Sequence, residues 1–126
     1  MKVLSIKEPY ATLIKDGVKI YETRSWKTNY RGEIYIHASL TKSTSESKNK
    51  AMNYLKSEPN PGYILCKCNL VDCIPMDEEF INYIKNETNE SDYGRYSSDR
   101  FAWKLELIEV LKDPIPAKGK LGIWNL

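Results

Sequence analysis

The densest run of chemically capable side chains is Gly17-Val18-Lys19-Ile20-Tyr21-Glu22-Thr23-Arg24-Ser25-Trp26, which brings an amine, a carboxylate and a guanidinium close together in the chain. On an extended strand side chains alternate, so Glu22 and Arg24 share a face with Ile20 and Trp26, two residues expected to be buried. Charges among apolar neighbours must be paired or serve a ligand, because an isolated buried charge is costly. One reading is a Glu22–Arg24 ion pair that closes a barrel end; the other is a binding site. Lys19 lies three residues before Glu22, which on a regular strand points the two apart. Acid–base chemistry by this pair therefore requires Lys19 to lie in the helix-to-strand connector, where Gly17 supplies backbone freedom.

The remaining reactive residues read differently. Cys66 and Cys68 share a strand face with Ile64 and Leu70 and suit small core positions. The three cysteines and the single His37 have no spacing that suits a tetrahedral zinc site, so no metal is expected. His37 faces away from the apolar side of its strand and is expected in solvent. Gly119-Lys120-Leu121-Gly122 lacks the spacing of a phosphate loop, which excludes nucleotide hydrolysis of that kind. No cofactor is expected. Tyr93-Gly94-Arg95-Tyr96 interleaves aromatics with a base, as in single-strand binders, or else is an exposed loop with incidental tyrosines.

The elements that position these residues can be placed by period. Met1 to Ile6 reads as a strand. Pro9 suits a first helical turn; Tyr10, Leu13 and Ile14 then form a helical stripe that Gly17 ends. A strand is expected from Val18 to Trp26 and another over Gly32 to Leu40, where Ile34, Ile36, Ala38 and Leu40 alternate with polar residues. Ser43-Thr44-Ser45-Glu46 resembles a capping box opening a helix to about Ser57. Tyr63 to Cys73 is a strand, and Asp77-Glu78-Glu79 opens a helix carrying Phe80, Ile81 and Ile84. The polar stretch from Asn86 to Arg100 is expected to be a mobile loop. Phe101 to Leu107 alternates as a strand, and Pro114-Ile115-Pro116 breaks the chain before Ile123-Trp124. Strands mixed with short helices, without a strand-helix-strand rhythm, predict an α+β fold: a mostly antiparallel sheet or small barrel with peripheral short helices.

The chain has 126 residues, 41% hydrophobic and 29% charged, the size and composition of one globular domain over residues 1–126. No apolar run approaches the roughly 20 residues that span a bilayer, so no membrane association is expected. An odd number of cysteines and the early Lys7 and Glu8 fit a cytoplasmic protein with reduced thiols. The net charge of +2 excludes indiscriminate coating of nucleic acid. It averages unequal parts: residues 1–50 carry +5, 51–98 carry −4 and 99–126 carry +1. A localised basic site therefore remains open.

Taken together, Ser5-Ile6-Lys7-Glu8-Pro9-Tyr10-Ala11-Thr12-Leu13-Ile14, the Gly17-x-Lys19-x-x-Glu22-x-Arg24-Ser25-Trp26 block and Arg31-Gly32 resemble the ASCH (activating signal cointegrator homology) domain. The Gly62 to Asp72 strand, Phe101-Ala102-Trp103-Lys104-Leu105 and Gly119-Lys120-x-Gly122-x-Trp124 continue the likeness over nearly the whole chain. The resemblance implies a PUA-like β-barrel with flanking helices and a cleft beside the first helix. It implies RNA or a nucleotide-like ligand as partner, with DNA as a second candidate, in a role tied to RNA metabolism or translation. The implied ligand-binding residues are Pro9, Tyr10, Lys19, Glu22, Arg24, Trp26, Ser39 and Asp72. Arg24 and Lys19 would meet phosphate, Tyr10 or Trp26 would stack on a base, and Glu22 would hold Arg24 or a base edge. One branch with a similar fold hydrolyses acetylcytidine nucleosides with a Lys, a Thr and a downstream Glu. Lys19 matches that Lys, Glu22 stands in place of the Thr, and Glu87 and Glu90 are the regional candidates for the acid. Hydrolysis of a modified nucleoside amide or of RNA by Lys19 and Glu22 is thus the alternative. A protein-interaction module using the 86–100 segment is a third reading.

Overall fold

The structure is a computed structural model that describes residues 1–126. Six strands, β1 (Lys2–Lys7), β2 (Tyr21–Arg24), β3 (Gly32–Ser39), β4 (Tyr63–Pro75), β5 (Phe101–Pro116) and β6 (Ile123–Asn125), form one sheet in the order β2-β5-β4-β3-β1-β6. Only β1 and β3 run parallel; the other neighbours are antiparallel. The α+β, mostly antiparallel expectation holds, but the sheet is open, since its edge strands β2 and β6 do not pair with one another. A side chain spans the gap instead: Arg24 on β2 donates from Nη2 to the Ser5 carbonyl on β1 at 2.9 Å.

The main core lies between the sheet and helix α1 (Tyr10–Lys15), with Leu4, Ile6, Ile14, Ile34, Ile36 and Trp103 at its centre. Cys66, Cys68 and Leu70 are fully buried there, as their alternation predicts, but Ile64 does not share their face: the register shifts between Ile64 and Cys66, Leu65 joins the main core, and Ile64 packs with Val3 and Trp124. Gly17 takes φ +76° and ends α1, a conformation that costs a residue bearing a Cβ. Pro9 precedes the helix rather than entering it and is buried.

Several expectations are corrected. The second strand covers only Tyr21–Arg24, because Val18, Lys19 and Ile20 are an irregular connector whose amides serve the end of α1 and the Glu90 carboxylate. Ile20 and Trp26 are exposed, not buried. The helix expected over 43–57 shrinks to α2 (Lys48–Met52), and the capping box does not form. Ser43 Oγ accepts from Ser45 N, Ser45 Oγ accepts from Ser47 N, and such local bonds compete with helix. Strand β5 runs through Pro114 to Pro116 because its far edge is free there, so a missing amide breaks no ladder.

The expected mobile loop is packed structure. Helix α3 (Glu78–Glu87), capped by Asp77 accepting from Phe80 N at 2.8 Å, leads into a 3₁₀ turn at Glu90–Tyr93. Glu90, Tyr93 and Tyr96 are buried, Tyr96 against Tyr21, Met76 and Ile84. The tyrosines of the 93–96 stretch are therefore core residues, and the 86–100 segment is no free contact arm. His37 is also buried, at 1% exposure. The C-terminal segment covers the outer face of β1 and β3, where Trp124 packs edge-on to the imidazole at 5.7 Å.

Candidate functional site

An open cleft of about 1290 Å³ runs between β1, β2, the 39–47 loop, the 93–95 segment and the strap Ala117–Gly122. Its innermost charged group is Lys19. The irregular connector turns the Lys19 side chain inward, so that it lies on the same side as Glu22 rather than opposite it. Nζ lies 4.0 Å from Glu22 Oε1 and donates to the Tyr93 carbonyl at 2.9 Å. The ammonium is 5.8 Å from the centres of both the Tyr10 and Tyr93 rings, within cation–π range. Burial lowers the Lys19 pKa, an effect that Glu22 and Glu90 oppose.

Glu90 holds this centre from behind. Its carboxylate accepts the backbone amides of Ile20 and Tyr21 at 3.2 Å. Burial raises its pKa, with the Lys19 charge pulling the other way. Glu87 is exposed on α3 and takes no part. Glu90 was legible only as one of two regional acids. In a 3₁₀ turn residues three apart eclipse, and the Glu90–Tyr93 spacing is the signal that separates it from Glu87.

Arg24 Nε donates to Glu22 Oε2 at 2.9 Å while Nη2 reaches β1, so both readings of the Glu22–Arg24 pair meet here: it closes the open side of the sheet, and it forms a wall of the cleft. Tyr10 Oη bonds Ser47 Oγ at 2.8 Å. Burial pushes its pKa up, but hydroxyls of Ser45, Ser47 and Ser43 outweigh this and leave the pKa lowered. Ser39 lines the same wall.

The structure thus gathers Tyr10, Lys19, Glu22, Arg24 and Ser39 around one cleft and leaves the other three named residues outside it. Pro9 is buried at the start of α1. Trp26 packs edge-on against Trp103 at 4.7 Å. Asp72 sits exposed on β4, 4.0 Å from Arg31. Arg95, the base of the 93–96 stretch, also lines the cleft, as do Ser5, Lys7, Arg100, Lys118 and Lys120, which had no expected role. Arg100 donates to the Thr23 carbonyl at 3.0 Å and to the Arg95 carbonyl at 3.2 Å. Burial and then the nearby Arg95 charge lower its pKa, while Glu22 and Asp99 pull the other way. No cluster of three or more His, Cys, Asp or Glu side chains is arranged to hold a metal ion.

The ASCH domain family model matches residues 4–115, and the chain belongs to this family. It is 30% identical over 134 aligned positions to Activating signal cointegrator 1 of Homo sapiens and, equally, to that of Mus musculus. The alignments cover 98% of this chain but 22% of either relative, so the chain spans about a fifth of the length of the curated relatives it matches. The PUA-like expectation agrees with the family assignment and the observed sheet.

Proposed function

We propose that the cleft binds single-stranded RNA or a nucleotide-like ligand. The observation that carries this reading is charge. The cleft is lined by seven of the chain's nineteen basic side chains and only two carboxylates. Of these cations, Lys7, Arg95, Arg100, Lys118 and Lys120 enter none of the chain's ion pairs; four are available to phosphate outright, and Arg100, whose Nε and Nη2 are held by the Arg95 and Thr23 carbonyls, has Nη1 to offer. Phosphate meets Arg95, Arg100 and the strap lysines, whereas Lys19 is committed to Glu22 and the Tyr93 carbonyl. Tyr10 and the exposed rim residues Leu40 and Leu121 offer surface to an unpaired base. The setting proposed is cytoplasmic, in keeping with three free thiols, and the role is one in RNA metabolism or translation. Fluorescence titration of a labelled RNA oligomer tests it. Wild type binds, Arg95→Ala/Arg100→Ala binds at least about tenfold more weakly, and equal binding by both removes the cleft from the account.

A second reading is favoured by the convergence of Lys19 and Glu22 at 4.0 Å: hydrolysis of an amide on a modified nucleoside. Lys19, with its pKa lowered, is a candidate proton carrier and Glu22 a candidate base. Release of acid from acetylcytidine by wild type, lost in Lys19→Met, supports it. No release by wild type sets it aside.

A further inference from the structure

Across Arg24 from the Lys19–Glu22 centre, Ser5 and His37 form a pair that the binding reading leaves unused. Ser5 Oγ lies 3.0 Å from His37 Nδ1, and His37 Nε2 lies 2.7 Å from the Ala117 carbonyl. A carbonyl only accepts, so Nε2 carries the proton and Nδ1 presents its lone pair to the Ser5 hydroxyl. The hydroxyl therefore donates to the imidazole. Its oxygen also receives the Trp124 indole N–H at 2.9 Å, which favours negative charge on that oxygen. These are the relations expected of a nucleophile, its base and the group that orients the base.

The surroundings supply the rest. Ser5 and His37 both line the cleft. The strap passes over them at Gly119, where a Cβ would lie 2.8 Å from Ser5 Oγ and 2.7 Å from His37 Cε1; only glycine lets the strap approach the pair this closely. No backbone amide from Lys118 to Gly122 donates a hydrogen bond within the chain. Beside a nucleophilic oxygen, free amides are ready donors for a developing oxyanion.

We propose that Ser5 and His37 form an acyl-transfer site that hydrolyses carboxylic esters, those with an anionic alcohol portion being favoured by Lys118 and Lys120 on the strap. Ser5 Oγ attacks the acyl carbon as its proton passes to His37 Nδ1. The tetrahedral adduct collapses, the bond to the alcohol oxygen breaks, and the alcohol leaves with that proton. Water then attacks the Ser5 ester, giving its proton to Nδ1, and collapse releases the acid and returns the proton to Ser5.

The test is labelling by a fluorophosphonate probe, in which a Ser5 Oγ–P bond forms and fluoride leaves, read by mass spectrometry. Wild type is labelled on Ser5, Ser5→Ala is not labelled, and His37→Asn is labelled about a hundredfold more slowly. Gly119→Ala, which crowds the hydroxyl, is slowed as well. Ser5→Cys provides a readout that a purely structural pair would not give: its thiol alkylates with iodoacetamide faster than the native Cys73, with a rate that His37→Asn reduces. Hydrolysis of p-nitrophenyl acetate follows the same order. No label on Ser5 in wild type, or hydrolysis unchanged in Ser5→Ala, overturns the proposal, and neither outcome bears on RNA binding.

Discussion

Glu90 secures the connector that carries Lys19: its carboxylate takes the Ile20 and Tyr21 amides at 3.2 Å, and the carbonyl of Tyr93, from the same turn, takes the Lys19 ammonium at 2.9 Å. One short turn thereby fixes both the backbone and the side chain of a residue distant in sequence. The cleft floor is a cation between two carboxylates, which limits the desolvation cost of each.

Burying Lys19 has a consequence for stability as a function of pH. Its folded pKa is below the ordinary lysine value of 10.5, so within that window the unfolded chain binds more protons than the folded one. Stability then rises with pH up to the ordinary value, by at most about 1.4 kcal/mol per pH unit. Urea unfolding of wild type from neutral pH to about pH 10 shows a Lys19 contribution of this sign, and Lys19→Met lacks it. Parallel curves for the two proteins contradict the assignment.

Arg24 bridges β2 to β1 across the open side of the sheet and holds Glu22. Arg24→Ala leaves the Ser5 carbonyl and the Glu22 carboxylate each short of a donor, at a cost of about 1–3 kcal/mol in chemical denaturation. Arg24→Lys recovers only part of this, because an ammonium lacks the planar fork that serves two acceptors. Full stability in Arg24→Ala would show that the gap between β1 and β2 is held by other contacts.

The alternation of Ile34, Ile36 and Ala38, and of Cys66, Cys68 and Leu70, places the central strands, because each set packs into the main core; the bulge that sends Ile64 to another cluster leaves no mark in that pattern. The Gly17 stop and the Asp77 cap were legible for the same local reasons. What eluded sequence reading depends on contacts between distant segments. His37 alternates as an outward residue, and its burial comes from a C-terminal strap eighty positions away. The 86–100 segment is poor in aliphatic residues, yet Tyr93 and Tyr96 supply its buried surface. Lys19 and Glu22 converge because the strand starts at Tyr21, a boundary set by Glu90 and invisible to a period-two pattern. Of the cleft, the motif residues on β2 and the Arg95 of the 93–96 stretch were legible, whereas Arg100 and the strap lysines are brought in by the fold.

If phosphate is met by the unpaired cations of this cleft, as proposed, RNA affinity depends on salt in proportion to their number. Each phosphate contact on a single strand contributes about 0.7 to the slope of log affinity against log salt. Wild type is predicted to show a steep negative slope, and Arg95→Ala/Arg100→Ala a slope shallower by about 1.4, while Lys104→Ala, outside the cleft, leaves it unchanged. An identical slope for wild type and the double variant would show that phosphate does not meet these arginines.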